Sequence, residues 1–272
     1  MDEYAQAGGI RGLARPELHV RRERASRVVL VMPALDEEEA LPLVLDELPR
    51  GLFERVIVVD NGSTDRTAAV ARERGATVVV ESAKGYGNAC QAGIAEALVG
   101  DERHPPLEDR DVLAFCDADH SDYPEDLGCV VGPVLAGRAD FVIGSRILGG
   151  ADRRALLPQA WFGNRFACFL MRLLFGLRHT DLGPMRAIEV GALRHLQMGD
   201  RTFGWTIEMQ LKAHAARLRT LEVPVRYRPR TGVSKITGTL SGTLGAGYKI
   251  LGWIVSWRLR SLRARDRIPS YR

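Results

Sequence analysis

Five short apolar, β-branched runs punctuate the first half of the chain: RVVLVM (27–32), RVIVVD (55–60), TVVVE (77–81), DVLAFCD (111–117) and DFVIGS (140–145). None alternates strictly between apolar and polar, so each reads as a strand buried on both faces. The stretches between them predict helices over 37–48, 66–74, 87–99 and 124–136. Alternation of this kind predicts an α/β fold, a mostly parallel sheet flanked by helices on both faces. Beyond residue 150 the rhythm changes. A long apolar helix is expected at 158–175, then a Gly/Pro-broken segment, DLGPMRAI (181–188), then a helix over 205–216. In ITGTLSGTLGAGYKILGWIVSW (236–257), Leu240, Leu244, Leu251 and Val255 recur at helical spacing, with Lys249 and five glycines among them. A membrane span needs about 20 mainly apolar residues. The expectation is therefore an amphipathic helix lying on anionic lipid, with packing on the core or a dimer contact as alternatives.

Length and composition allow a substantial core: 272 residues, 46% of them hydrophobic. The division expected is a basic N-terminal arm (1–26), one catalytic domain (27–235), and an amphipathic helix with an Arg-rich tail (236–272). The formal charge of +4 hides an uneven layout, because residues 11–27 and 258–272 each hold six arginines and the body between is slightly acidic. Basic ends suit an anionic surface touched by the termini, membrane or nucleic acid, better than a body that binds DNA. Solvated tails are the plain alternative. The four cysteines show no C-x-x-C pairing and read as small hydrophobes in a reducing cytoplasm. No apolar signal-like run opens the chain, so the expected place is cytoplasmic.

In open α/β sheets ligands bind outside the carboxyl ends of the strands. Three of those ends are acidic here: PALDEEE (33–39), DNGSTD (60–65) and DAD (117–119). Carboxylates converging on one rim repel unless a cation or hydrogen-bond donors lie between them. A divalent metal with a diphosphate on its far side meets that need, and oxygen-only ligands favour Mg²⁺ or Mn²⁺ over zinc.

With those residues in place, the chain resembles family 2 glycosyltransferases of the GT-A fold, especially polyprenyl-phosphate (dolichyl-phosphate-type) sugar transferases. The likeness runs from about Val28 to Lys235 through MPALDEEE, VDNGSTD, KGYGNA (84–89), DAD, DLGPMRAI, GWTIEMQ (204–210) and RTGVSK (230–235). The resemblance implies inverting transfer of a hexose from a UDP- or GDP-sugar, with Mg²⁺ or Mn²⁺, to a polyprenyl phosphate at the inner face of the cell membrane. By position it implies that Pro33, Asp36 and Glu37 border the nucleoside, that Asp60 accepts from the base, and that Lys84 lies beside the phosphates. Asp117 would face ribose and metal, Asp119 would hold the metal, Arg230 and Lys235 would neutralise phosphate, and Arg186 in DLGPMRAI would contact substrate. His120 and Ser121 depart from the Leu-x-Gln common after the DxD, and Asn61 from a frequent second Asp.

Several residues have simpler readings. Ser63, Thr64 and Asp65 read better as a turn leading into a helix cap than as ligands. Gly85 and Gly87 follow the third strand, not the first, so a dinucleotide fold is not indicated, and the glycines are expected to let backbone approach the donor. Glu208 sits four residues before Lys212, which suits a helix ion pair as well as a general base. A base is required only if the acceptor is a hydroxyl of a lipid or saccharide. A nucleotide-sugar-binding protein without turnover is the reading of another class. Homo-oligomerisation stays open.

Overall fold

The computed structural model describes residues 25–151, 158–232, 240–262 and 270–271. The N-terminal arm up to residue 24, Lys235 and most of the Arg-rich tail lie outside them. In chain order the elements are β1 (Val28–Ala34), α1 (Leu41–Asp46), β2 (Arg55–Asp60), α2 (Thr67–Glu73), β3 (Thr77–Val80), α3 (Tyr86–Val99) and β4 (Val112–Phe115). A 3₁₀ turn at Pro124–Asp126 leads into α4 (Leu127–Leu135). Then follow β5 (Phe141–Ser145), α5 (Pro158–Phe175), β6 (Arg186–Glu189), α6 (Val190–Leu196), α7 (Trp205–Ala215), β7 (Thr220–Pro224) and α8 (Leu240–Leu262).

The five expected strands are present, and β1 shows why they form the centre. Leu30 and Met32 point to one face, where they meet Leu41, Val44, Ala71 and Leu127. Val29 and Val31 point to the other, against Ala89, Cys90 and Trp205. Period-2 alternation feeds two apolar layers, so no position in the strand is polar. The strands form a seven-stranded sheet in the order β3-β2-β1-β4-β6-β5-β7. It is parallel except at β6, which runs antiparallel between β4 and β5. Strands β6 and β7 and helix α6 were not expected from the sequence. Each is short, and β6 forms inside the Gly/Pro-broken DLGPMRAI.

Helix α1 is shorter than the apolar spacing suggests. Asp36 takes φ 52°, and the next two amides are held by α2's entry: Glu37 N–H donates to Thr67 Oγ1 (2.8 Å) and Glu38 N–H to Asp65 Oδ2 (3.1 Å). Those bonds keep 36–39 as a loop at the sheet's rim. A third apolar cluster packs α5, α7 and α8 through Ala167, Met171, Ile207, Leu211, Ile254 and Trp257. The cysteines are free, with Cys90, Cys116 and Cys168 buried and Cys129 exposed. Among the described residues no helix is long and apolar enough to cross a membrane.

Candidate active site

The carboxyl ends of β1, β2 and β4 face one cavity of about 240 Å³, lined among others by Pro33, Glu37, Asn61, Lys84, Asp119 and Arg230. A second, larger cavity of about 400 Å³ lies between α5 and α8 and is mostly apolar, with Phe166, Ala167, Ile250 and Leu251 on its walls. Tyr86, Asp117 and Phe203 line both, so the first aspartate of the DAD sits where the two cavities meet.

Asp117 accepts from Tyr86 Oη–H at 3.1 Å. Burial, and then the charge of Asp119, push its pKa up to about 7. Asp119 Oδ1 accepts from the Ser121 amide at 2.9 Å, and Oδ2 lies 3.2 Å from Arg230 Nη1. Arg230 reaches on to Glu37 Oε1 (2.8 Å) and so spans the cavity from one carboxylate to another. The pair at 117 and 119 is thus a carboxylate couple with oxygen-only donors, whose repulsion Arg230 and Arg146 offset only in part. That chemistry fits Mg²⁺ or Mn²⁺. Among the described residues no cluster of three His, Cys, Asp or Glu is arranged to hold a metal, so a metal's other ligands would have to come from diphosphate and water, as Mg²⁺ tolerates.

Other expected residues take different parts. Asp60 Oδ1 accepts from the Ser63 amide (2.9 Å), and Asp36 Oδ1 from the Thr64 amide (2.7 Å). Ser63 Oγ receives the Asp36 amide (3.0 Å), and Asp65 holds Thr67. Residues 63–65 form the turn before α2 that the simpler reading expected, though the N-cap is Arg66 and not Asp65, and they also tie the β1 and β2 loops together. His120, at φ 60°, turns its Nε2 to Glu47 (3.0 Å) and does not line the donor cavity.

One expectation is corrected. Arg186 was placed at the substrate, but it is fully buried. Its guanidinium donates to the carbonyls of Gly183 and Thr206 and lies 5.8 Å from the Phe141 ring and 5.9 Å from Trp205. Burial lowers its pKa to about 10. The cause is β6, whose antiparallel register sets Arg186 between Phe115 and Ile143. The glycines of KGYGNA make room for the protein's own backbone, and Gly85 also lines the donor cavity. A Cβ at Gly87 would come within 2.2 Å of Asp200 O, and one at Gly85 within 2.3 Å of Arg201 O.

Glu208 is buried in α7 and lines neither cavity. Oε1 accepts from the Gly199 amide (2.9 Å) and pairs with Lys212 Nζ (2.8 Å), and Oε2 accepts from the Asp200 amide (2.7 Å). Its carboxylate holds the 199–204 loop.

Arg146 was not singled out in the sequence. It lines the apolar cavity and is clamped by Asp181, with Nε donating to Oδ2 (2.8 Å) and Nη2 to Oδ1 (2.7 Å). Nη1 has no hydrogen-bond partner among the described residues, and against the lowering effect of burial the pairing raises the group's already high pKa. The available signal was position: Arg146 directly follows the carboxyl end of β5, a parallel strand.

Comparison with known proteins accords with this geometry. Residues 29–197 match the family model described as Glycosyl transferase family 2. An uncharacterized glycosyltransferase of Mycobacterium tuberculosis is 39% identical over 222 residues, 80% of this chain and 93% of its own. An undecaprenyl-phosphate mannosyltransferase of Micrococcus luteus is 30% identical over 251 residues, 88% of this chain and 98% of its own. Glucosyl-3-phosphoglycerate synthase of M. tuberculosis, solved with Mn²⁺, UDP and phosphoglyceric acid, shares the fold with TM-score 0.68 and 22% identity, over 86% of this chain and 78% of its own.

Proposed function

The chain belongs to glycosyl transferase family 2 and is a glycosyltransferase of the GT-A fold, and from that premise we propose that it moves a hexose from a UDP- or GDP-sugar to a polyprenyl phosphate at a membrane surface. The observation that carries this reading is the pair of cavities meeting at Asp117. One is lined by the carboxylates Glu37, Asp117 and Asp119 with Lys84 and Arg230, a set suited to a nucleotide diphosphate with its metal. The other is apolar, and Arg146 is the only cation among its described lining residues. An amphiphile with an anionic head and a hydrocarbon tail matches that second cavity. The Micrococcus relative's name includes such an acceptor, and the synthase solved with Mn²⁺ and UDP supports the metal and the nucleotide class.

In this reading Asp117 and Asp119 hold Mg²⁺ or Mn²⁺, which when bound supplies Lewis-acid neutralisation of the departing diphosphate. Lys84 and Arg230 add positive charge on the same side. For Arg230 to do so, its bond to Asp119 must yield to the incoming donor. Lys235 is assigned the same role by its motif alone. Arg146 Nη1 orients the acceptor phosphate, which with a second pKa of about 6 is largely dianionic near neutrality. Such a nucleophile needs no base, and one displacement inverts the anomeric centre. Glu208 then acts as a positioning residue. Pro33, Asp36, Glu37 and Asp60 remain the proposed nucleoside contacts, Pro33 and Glu37 from the cavity wall.

The test supplies radiolabelled UDP- and GDP-hexoses with Mn²⁺ and either a polyprenyl phosphate or the matching polyprenol. Label should enter the lipid fraction with the phosphate only. Equal transfer to the polyprenol, or transfer only to a saccharide, would overturn the phosphate acceptor.

A further inference from the structure

Helix α5 has two opposite faces, and neither is polar. Asn164, Ala167, Cys168 and Met171 are buried, whereas Phe162, Phe166, Phe169 and Leu173 are 66%, 41%, 58% and 67% exposed. At about 100° per residue the four exposed side chains fall within roughly 40° of one line, diametrically across from the buried set. Phe162 and Phe166 stack on one another with ring centroids 6.1 Å apart. Helix α8 packs beside α5 through Ile254 and Trp257, and it too leaves Leu251, Val255 and Leu259 exposed. A contiguous apolar surface of this kind marks an interaction site.

We propose that the stripe of α5, with the adjoining edge of α8, seats in the headgroup region of an anionic bilayer. Charge favours lipid over a second copy of the chain. Helix α5 carries Arg165 and Arg172 and no carboxylate. Arg165 and Arg172 lie exposed on the flank of the stripe, where a second copy would set like charges against each other and anionic headgroups would neutralise them. Continuity with the cavity points the same way. Phe166 and Leu251 belong at once to the exposed stripe and to the wall of the apolar cavity, so seating this face opens the cavity into the acyl region. The contact extends beyond the C-terminal helix and tail to which the sequence pointed, and α5 is its centre. The cavity's part rests on the acceptor reading above; the docking itself does not.

The experiment floats the full chain with vesicles of phosphatidylcholine alone or mixed with phosphatidylglycerol, free of polyprenyl phosphate and sugar nucleotide. Wild type should partition onto the anionic vesicles, Phe162→Glu/Phe169→Glu at least tenfold less, and Leu173→Gln less than wild type with a smaller change. Arg165→Ala/Arg172→Ala should lose binding on the anionic vesicles only. These side chains point away from the core, so thermal melts and Mn²⁺-dependent UDP or GDP binding should stay at wild-type values. Unchanged partitioning of the double Glu variant overturns the proposal. So does a wild-type dimer that the variant splits while vesicle binding persists, because the face would then join two copies. If vesicle binding behaves as expected but no polyprenyl phosphate is glycosylated, the acceptor reading fails and the docking surface stands.

Discussion

Asp117 is subject to burial and to the neighbouring charge of Asp119, and together they hold its carboxyl near 7 where 3.8 is ordinary. The folded protein keeps a proton that the unfolded chain releases between those values. Stability therefore falls as pH rises through that window, by about 1.4 kcal/mol per pH unit where the difference is fully expressed. Asp117→Asn should abolish turnover yet melt higher than wild type at pH 8 without metal, the gap closing toward pH 4. A variant melting lower at pH 8 would contradict this. Asp122 has the same sign, since burial and Asp117 raise it and both its oxygens are buried without a partner among the described residues. Asp119→Ala should lose turnover and metal-dependent nucleotide binding while keeping its fold, because its bonds go to a turn and to Arg230. Full activity of that variant in EDTA would remove it from the metal site. At Glu208 the two amides it accepts set the expectation. Glu208→Gln turns an amide group toward one of the buried N–H donors at 199 and 200, a loss of about 1–3 kcal/mol in loop stability. KM should rise for both substrates with kcat changed less than tenfold. A hundredfold loss confined to kcat would indicate a base and a hydroxyl acceptor.

The 199–204 loop shows how elements share one site. Asp200 binds α8 through Trp253 Nε1 (2.7 Å) and Lys249 Nζ (3.1 Å). Its backbone is held by Glu208 of α7 and Gln91 of α3. The loop carries Phe203, which lines both cavities. Trp253→Phe deletes one of these ties at a cost of about 1 kcal/mol, and steady-state kinetics should show donor and acceptor KM rising together. A change in one alone would place the loop beside a single cavity. Gly87→Ala would set a Cβ against Asp200 O; overpacking of this kind costs about 1–3 kcal/mol, and a lowered melting temperature is the check. The elements also differ in how plainly they are written. Helix α5 was legible to its ends because 18 residues hold one buried face. α1 was not, because side chains 27 to 30 positions away capture its first amides.

At the scale of the whole molecule the donor site is built from segments spread over nearly 200 residues, from Pro33 to Arg230, and it should respond to ligands as a unit. Two carboxylates make an incomplete cation site, and a diphosphate completes it. Mn²⁺ and UDP or GDP together should therefore raise the melting temperature by more than the sum of their separate effects, which a thermal-shift titration reads directly. Additive shifts would argue against a bridging metal. The sequence by itself determined the sheet's parallel core, the acidic strand ends and the family, since burial on both faces and chemistry at a strand's end are written in consecutive residues. The tertiary structure decided the rest. Arg186 is enclosed because antiparallel β6 lays it between β4 and β5, and Arg146 enters the site because Asp181, 35 residues away, clamps it. Glu208 serves a loop, two glycines yield to a backbone over 100 residues distant, and Phe162 and Phe169 face outward although their composition is that of a core. In each case the side chain's partner is fixed by packing between distant segments, and local apolar spacing carries no record of which neighbour arrives or whether one arrives at all.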